Sequence, residues 1–147
     1  MKQNNARLEL SKEEMKSYGY QIIDAIVEHH ATQHEKLPVA LGSREEMDSL
    51  FLEEAPEKGS DPSQVLNFVL DKVMTNSANM AHPRSFSFVP GPSNYVSVMA
   101  DALATGYNIF SGGWAASPAA AELEIVTIQW LLKIFGFPKK KGGGIFT

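Results

Sequence analysis

Four histidines, two nearby glutamates and a run of three lysines are the side chains here best suited to chemistry. His30 and His34 are four apart and share a helix face, as two metal ligands would, and His29 adjoins them. No carboxylate or third ligand is placed with them, so they read as ordinary helix-end side chains and no metal site is assigned. Glu122 and Glu124 are two apart and point to different sides of a helix, which excludes a paired acid–base site and leaves helix-start electrostatics as their reading. Lys139, Lys140 and Lys141 sit beside a turn and read as a solvated loop. The chain has no cysteine, which removes disulfides, thiolate metal sites and Cys nucleophiles together. No catalytic residue is assigned.

Two segments have the composition of a pocket wall. Ala81 to Pro92 carries Pro83, Pro90 and Pro92 among Phe86, Phe88 and Val89. Three prolines exclude a helix interior and push the preceding residues towards extended geometry, so the stretch is expected to be irregular and to present rings at set positions. It equally suits a connector pinned in a core by Phe86 and Phe88. Asn108 to Trp114 places Gly112 and Gly113 before Trp114. Adjacent glycines there imply either positive φ or a close backbone approach.

The elements that position these segments are helices. Ser11-Lys12-Glu13-Glu14 has the capping-box pattern, and Met15, Tyr18, Ile22 and Ile26 recur behind it at helical spacing. A helix of about five turns with one wide apolar face follows. Pro38 ends it. A short helix is expected in the acidic stretch 44–57, with Met47, Leu50, Phe51 and Leu52 as its apolar residues. Asp61-Pro62 starts another, with Gln64 completing a second capping box and a stripe from Val65 to Met74. Ser93 is the expected N-cap of a helix through Tyr95, Met99 and Leu103, closed by Gly106 as C′ residue. Ser117-Pro118 opens the last, which carries Ile125, Ile128, Leu131, Leu132 and Phe135 and stops at Gly136 and Pro138. Gly142–Gly144 then lead into an apolar β-strand at Ile145-Phe146-Thr147. The isolated chain is therefore expected to be mainly α: four to five helices, an extended Pro-rich segment and a terminal strand. A strand needs a neighbour for its ladder, so this one is expected to mark a chain cut at the beginning of a sheet.

The 13 basic and 17 acidic residues leave a net charge of −4, which offers no field for nucleic acid. Met1 to Glu14 lacks the apolar run of a signal peptide, so a cytoplasmic location is expected. No stretch reaches the roughly 18 uninterrupted apolar residues of a spanning helix, which argues against membrane insertion. A whole domain of 147 residues would hide about 70% of the surface its unfolded chain exposes.

From His82 the chain reads His-Pro-Arg-Ser-Phe-Ser-Phe-Val-Pro-Gly-Pro-Ser-Asn-Tyr, then Trp-Ala-Ala-Ser-Pro-Ala-Ala-Ala-Glu-Leu-Glu from Trp114. These runs resemble the pyridoxal-phosphate-dependent group II amino-acid decarboxylases, with the aromatic-amino-acid and tyrosine decarboxylase branch nearest. The resemblance implies the amino-terminal portion of an α/β, aspartate-aminotransferase-like enzyme of PLP fold type I. Residues 1–80 would be a helical dimerisation segment. Residues 81–147 would begin the large cofactor-binding domain and stop short of its phosphate-binding loop. By the same resemblance Phe88, Val89, Pro90 and Gly91 would line the substrate side-chain pocket, and Phe110, Gly112 and Trp114 would reach a pocket across the dimer interface. Gly91 stands where animal aromatic decarboxylases carry Thr, and Ser85 where an aromatic residue is expected.

The implied activity is a carboxy-lyase acting on aromatic L-amino acids in a homodimer, with pyridoxal 5′-phosphate taking up the electrons left by carbon dioxide. The His that stacks on the cofactor, the Asp that pairs with its nitrogen and the Lys that holds it all lack counterparts here, so the isolated chain is expected to be inactive. The alternative from another class is a non-catalytic helical interaction module that pairs with itself or with a full-length relative.

Overall fold

A computed structural model describes residues 9–89, 91–138, 140 and 142–146. Pro90, Lys139, Lys141 and Thr147, each named in an expectation above, lie outside them. Five helices form among the described residues: α1 (Lys12–Thr32), α2 (Arg44–Phe51), α3 (Pro62–Phe68), α4 (Tyr95–Tyr107) and α5 (Pro118–Ile134). They divide into two compact units, one ending at Tyr95 and the other starting at Val96.

In the first unit the helix starts are set by local polar chemistry. The Ser11 hydroxyl accepts the Glu14 N–H at 3.2 Å, and the Glu14 carboxylate accepts the Ser11 N–H at 2.6 Å. Two donors that α1 cannot satisfy internally are thereby paired. Ser43 and Glu46 repeat the arrangement at α2, at 3.1 and 2.7 Å. The Ser-Arg-Glu-Glu pattern there matches that at Ser11 and is readable in the sequence. At α3 the Asp61 carboxylate takes both the Ser63 and Gln64 amides, so the cap is one-sided rather than the reciprocal box expected with Gln64. Wider π turns extend α3 over Val69–Met74. Thr75, Asn76 and Ser77 then each donate a side-chain hydrogen bond to the carbonyl four residues back, closing the helix with polar groups.

Contacts between these helices are sparse and aromatic. The rings of Phe51 and Phe68 meet edge to face at 5.9 Å, as do His30 and Tyr95 at 6.1 Å, and α1 touches α3.

In the second unit two Schellman closures end the helices. At α4 the Ile109 N–H reaches the Ala104 carbonyl and the Asn108 N–H that of Thr105, with Asn108 at φ +49°. The terminator is therefore Asn108, and Gly106 lies inside the last turn. Asn tolerates the left-handed region because its short amide bonds locally. α4 also begins at Tyr95, so Asn94 rather than Ser93 precedes it. At α5 the expectation holds: Gly136 adopts φ +73°, and the Phe137 and Gly136 amides return to the Leu132 and Lys133 carbonyls.

Residues 142–146 form no strand; they run irregularly beside α5. The described residues offer no β-ladder partner, and without one the backbone takes whatever donors and acceptors lie nearby. The Gly142 N–H finds the Pro138 carbonyl at 2.8 Å, and that of Phe146 lies 3.5 Å from the Glu124 carboxylate. A Cβ on Gly142 would come within 2.8 Å of Leu132, and one on Gly144 within 3.4 Å of Ile128. Gly142, Gly144 and Phe146 thus meet Leu132, Ile128 and Glu124 in turn. Four residues of helix rise about 6.0 Å and two of extended chain about 6.6 Å, so the two repeats keep step.

Apolar burial is where the chain departs from a self-sufficient domain. Among the described residues no apolar side chain is buried. The accessible surface is 12,881 Å² for 16.1 kDa, whereas a compact monomer of that mass exposes about 7,400 Å². The ~70% burial that a whole domain would reach is therefore not met. Among the described residues the helices carry apolar faces that stay exposed.

Candidate functional site

The expected wall residues fall on two loops, one in each unit. Phe88 and Val89 are 85% and 100% exposed, and Gly91 is open, so that a Cβ placed there would have nothing within 4 Å. Phe88 holds φ +63°, a region that bulky residues rarely enter. The segment is irregular as expected, though its first part, 80–84, is folded into turns. Of the two readings given to it, a connector pinned by Phe86 and Phe88 finds no support. Both rings are exposed.

The second loop, 108–117, is organised by its glycines. A Cβ on Gly112 would meet the Phe110 ring at 2.9 Å, and one on Gly113 the same ring at 3.5 Å. Neither glycine has positive φ, so close approach is the reason for the pair, and the partner is a ring of their own loop. The Ala116 and Ser117 amides both bond the Gly113 carbonyl at 3.1 Å, closing the turn around Trp114. Phe110 and Trp114 remain 65% and 57% exposed. Phe110 and Gly112 are therefore brought together, with Trp114 on the same closed turn.

The residues first considered for chemistry do not assemble. Among the described residues no three His, Asp or Glu side chains converge on a point. His34 faces Glu35 at 3.7 Å, both exposed. His29 has its pKa lowered, first by partial desolvation and then by the charges of Lys36 and His30. Glu122 and Glu124 lie beyond the first turn of α5, where the end charge of the helix has faded. Glu124 instead holds the Phe146 amide. No helix among the described residues is long and apolar enough to cross a membrane.

One functional group escaped the sequence reading. His82 is the sole buried side chain among the described residues, at 3% exposure. Its Nδ1 accepts the Arg84 N–H at 2.9 Å and its Nε2 lies 3.3 Å from the His34 carbonyl. The available signal was a histidine at the entry to a Pro-rich turn, where neighbouring amides lack regular partners.

Residues 44–147 match the pyridoxal-dependent decarboxylase conserved domain. The chain belongs to that family. It is 42% identical over 141 residues to the aromatic-L-amino-acid decarboxylase of Bacillus atrophaeus, covering 92% of this chain and 28% of that protein. It is 27% identical to L-tyrosine/L-DOPA decarboxylase 2 of Lophophora williamsii, with 92% and 27% covered. Among solved structures, a Catharanthus roseus tryptophan decarboxylase in complex with L-tryptophan superposes with a TM-score of 0.78 at 21% identity, covering 88% of this chain and 28% of that one. The helical arrangement is thus the fold of the amino-terminal part of such decarboxylases. The chain spans little more than a quarter of the length of these relatives.

The family's cofactor is pyridoxal phosphate. The described residues do not fit it. No lysine among them is buried, as one meeting an aldehyde in a closed site would be. A groove of about 470 Å³ along α5 is lined by Ile128, Leu132, Phe135, Phe137 and glycine backbone, without a cation for a phosphate.

Proposed function

We propose that this chain supplies dimer contacts and part of the substrate pocket of an aromatic L-amino-acid decarboxylase. The observation that carries the reading is the pairing of 42% identity to a named aromatic-L-amino-acid decarboxylase with exposed Phe88, Val89, Phe110 and Trp114 on two loops. A substrate ring covered by Phe88 and Val89, or one reached by Phe110 and Trp114 across a dimer interface, would leave water, and full burial of such a ring stabilises by roughly 1.5–3 kcal/mol. Their role is to bind, orient and exclude water. No proton transfer is assigned to them.

Residues 1–80 act here as the dimerisation segment and 81–147 as the beginning of the large domain, a division by role that precedes the boundary between compact units. The uncovered faces of α1, α4 and α5 support association, since large apolar patches are rare on monomers. The working form is a cytoplasmic homodimer that takes an amino-acid substrate. The isolated 147 residues lack groups for the cofactor and are inactive.

The test is carbon dioxide release by the intact protein that carries this sequence, supplied with pyridoxal phosphate. L-Tyr, L-DOPA, L-Phe and L-Trp are compared with L-Glu and L-His. Turnover confined to the aromatic set, and a raised KM in Trp114→Ala, are expected. Release only from L-Glu or L-His would overturn the assignment of substrate class. Gly91→Thr should fold normally, because the added Cβ meets nothing, and should shift the preference within the aromatic set.

The same uncovered faces favour a second reading, a helical interaction module without catalysis. A stable helical oligomer of the chain, with no activity in any protein that contains it, would establish it.

A further inference from the structure

The one buried side chain among the described residues takes no part in the function proposed above. His82 sits where two stretches of the first unit are tied together by polar bonds. Its Nε2 faces the His34 carbonyl, which can only accept, and its Nδ1 faces the Arg84 N–H, which can only donate. The proton is therefore on Nε2, and the ring is satisfied at both nitrogens. Close by, the Asn79 N–H bonds the Pro38 carbonyl at 3.1 Å and its side-chain amide donates to the Gln33 carbonyl at 3.1 Å. The His82 N–H returns to Asn79 and the Ser85 N–H to His82, at 3.1 and 2.8 Å.

Beyond Ser85 the character of the chain reverses. Phe86, Phe88 and Val89 are 89%, 85% and 100% exposed. At its start, the direction in which they leave is set by the knot on the turn after α1.

We propose that His82 is a positioning residue: locked between the His34 carbonyl and the Arg84 amide, it anchors residues 84–89 so that Phe88 and Val89 are presented to the substrate. The consequence for substrate rests on the reading of Phe88 and Val89 as pocket wall. An apolar side chain at 82 satisfies neither partner. Gln reaches the Nε2 position and donates to His34, whereas Asn accepts from Arg84 and falls short of His34.

The test uses the intact protein that carries this sequence, with amide hydrogen exchange over 84–89 and KM and kcat for an aromatic L-amino acid. His82→Leu should speed exchange there and raise KM about tenfold, with kcat changed much less. His82→Gln should restore most of both. Unchanged exchange in His82→Leu overturns the proposal, as does an equal fall of kcat and kcat/KM that Gln does not rescue. Should His82→Leu not fold, His82→Asn is compared with His82→Gln; looser exchange in Asn supports the anchor and looser exchange in Gln overturns it. Phe88→Ala and Val89→Ala separate the two readings. If they raise KM and His82→Leu does not, the positioning role fails. If they leave KM unchanged, the wall reading fails, and the exchange result alone decides the anchor.

Discussion

Residues 79–85 and 86–89 are neighbours in one Pro-rich segment, yet they are held by opposite kinds of interaction. The first stretch bonds the Asn79 N–H, the Asn79 side chain and the His82 ring to the turn after α1, and the His82, Arg84 and Ser85 amides to itself. The second projects two phenylalanines and a valine into solvent. Hydrogen bonds are directional and each needs a single partner atom, so one turn of the same unit, 46 and 48 residues away in sequence, is enough to complete them. Apolar burial needs area on both sides, and among the described residues these side chains meet none. The same contrast recurs at larger scale, with well-capped helix ends and uncovered helix faces.

The sharpest way to break that comparison is to perturb the glycine tail where its backbone packs tightly on α5. Gly142→Val puts a side chain into Leu132 and the Pro138 carbonyl, and should destabilise by about 1–3 kcal/mol in denaturant unfolding. Gly143→Ala, with nothing within 4 Å, is its control and should stay within about 0.5 kcal/mol. Equal effects would show that the tail does not lie along α5.

Next in size are the caps. Ser11→Ala and Ser43→Ala each remove one side of a reciprocal box and should cost about 1 kcal/mol, with reduced helical circular dichroism. A smaller effect comes from His29. Its folded pKa lies below the usual 6.5, so the unfolded chain takes up the proton first. The contribution to stability is present above pH 6.5 and is lost as pH falls through the lowered folded value. Melting temperatures from pH 7.5 down to 5.5 should decline less steeply in His29→Gln than in the parent.

The smallest expected change sharpens the contrast most. Val89→Ser should leave stability within about 0.5 kcal/mol, because the side chain is fully exposed, while raising KM in the intact protein. A large loss of stability would mean that Val89 is a core residue and not a wall.

Legibility in the sequence followed the range of each interaction. The capping box at Ser11, the Asp61 and Pro62 start of α3, Pro118 at α5 and the stop at Gly136 were all readable, since each involves residues within one turn. The Ser43 box was equally local. Gly106 misled because two candidate terminators stood close together, and Asn108 took the left-handed position. The strand at Ile145 failed for a different reason. A β-pattern states a preference, but a ladder requires a second chain segment, and α5 was the neighbour within reach. At the candidate site the resemblance named the wall loops, while the Phe110 ring over Gly112 and the burial of His82 required coordinates.

By itself, then, the sequence determined the helices, most of their ends, the absence of thiol chemistry and the family to which its motifs point. Only the tertiary structure decided that no apolar side chain among the described residues is buried, that His82 is the buried hub, and that the glycine tail follows α5 in place of a sheet. Caps and turns are closed by atoms a few residues apart. Burial and ladders depend on surfaces that distant segments must provide.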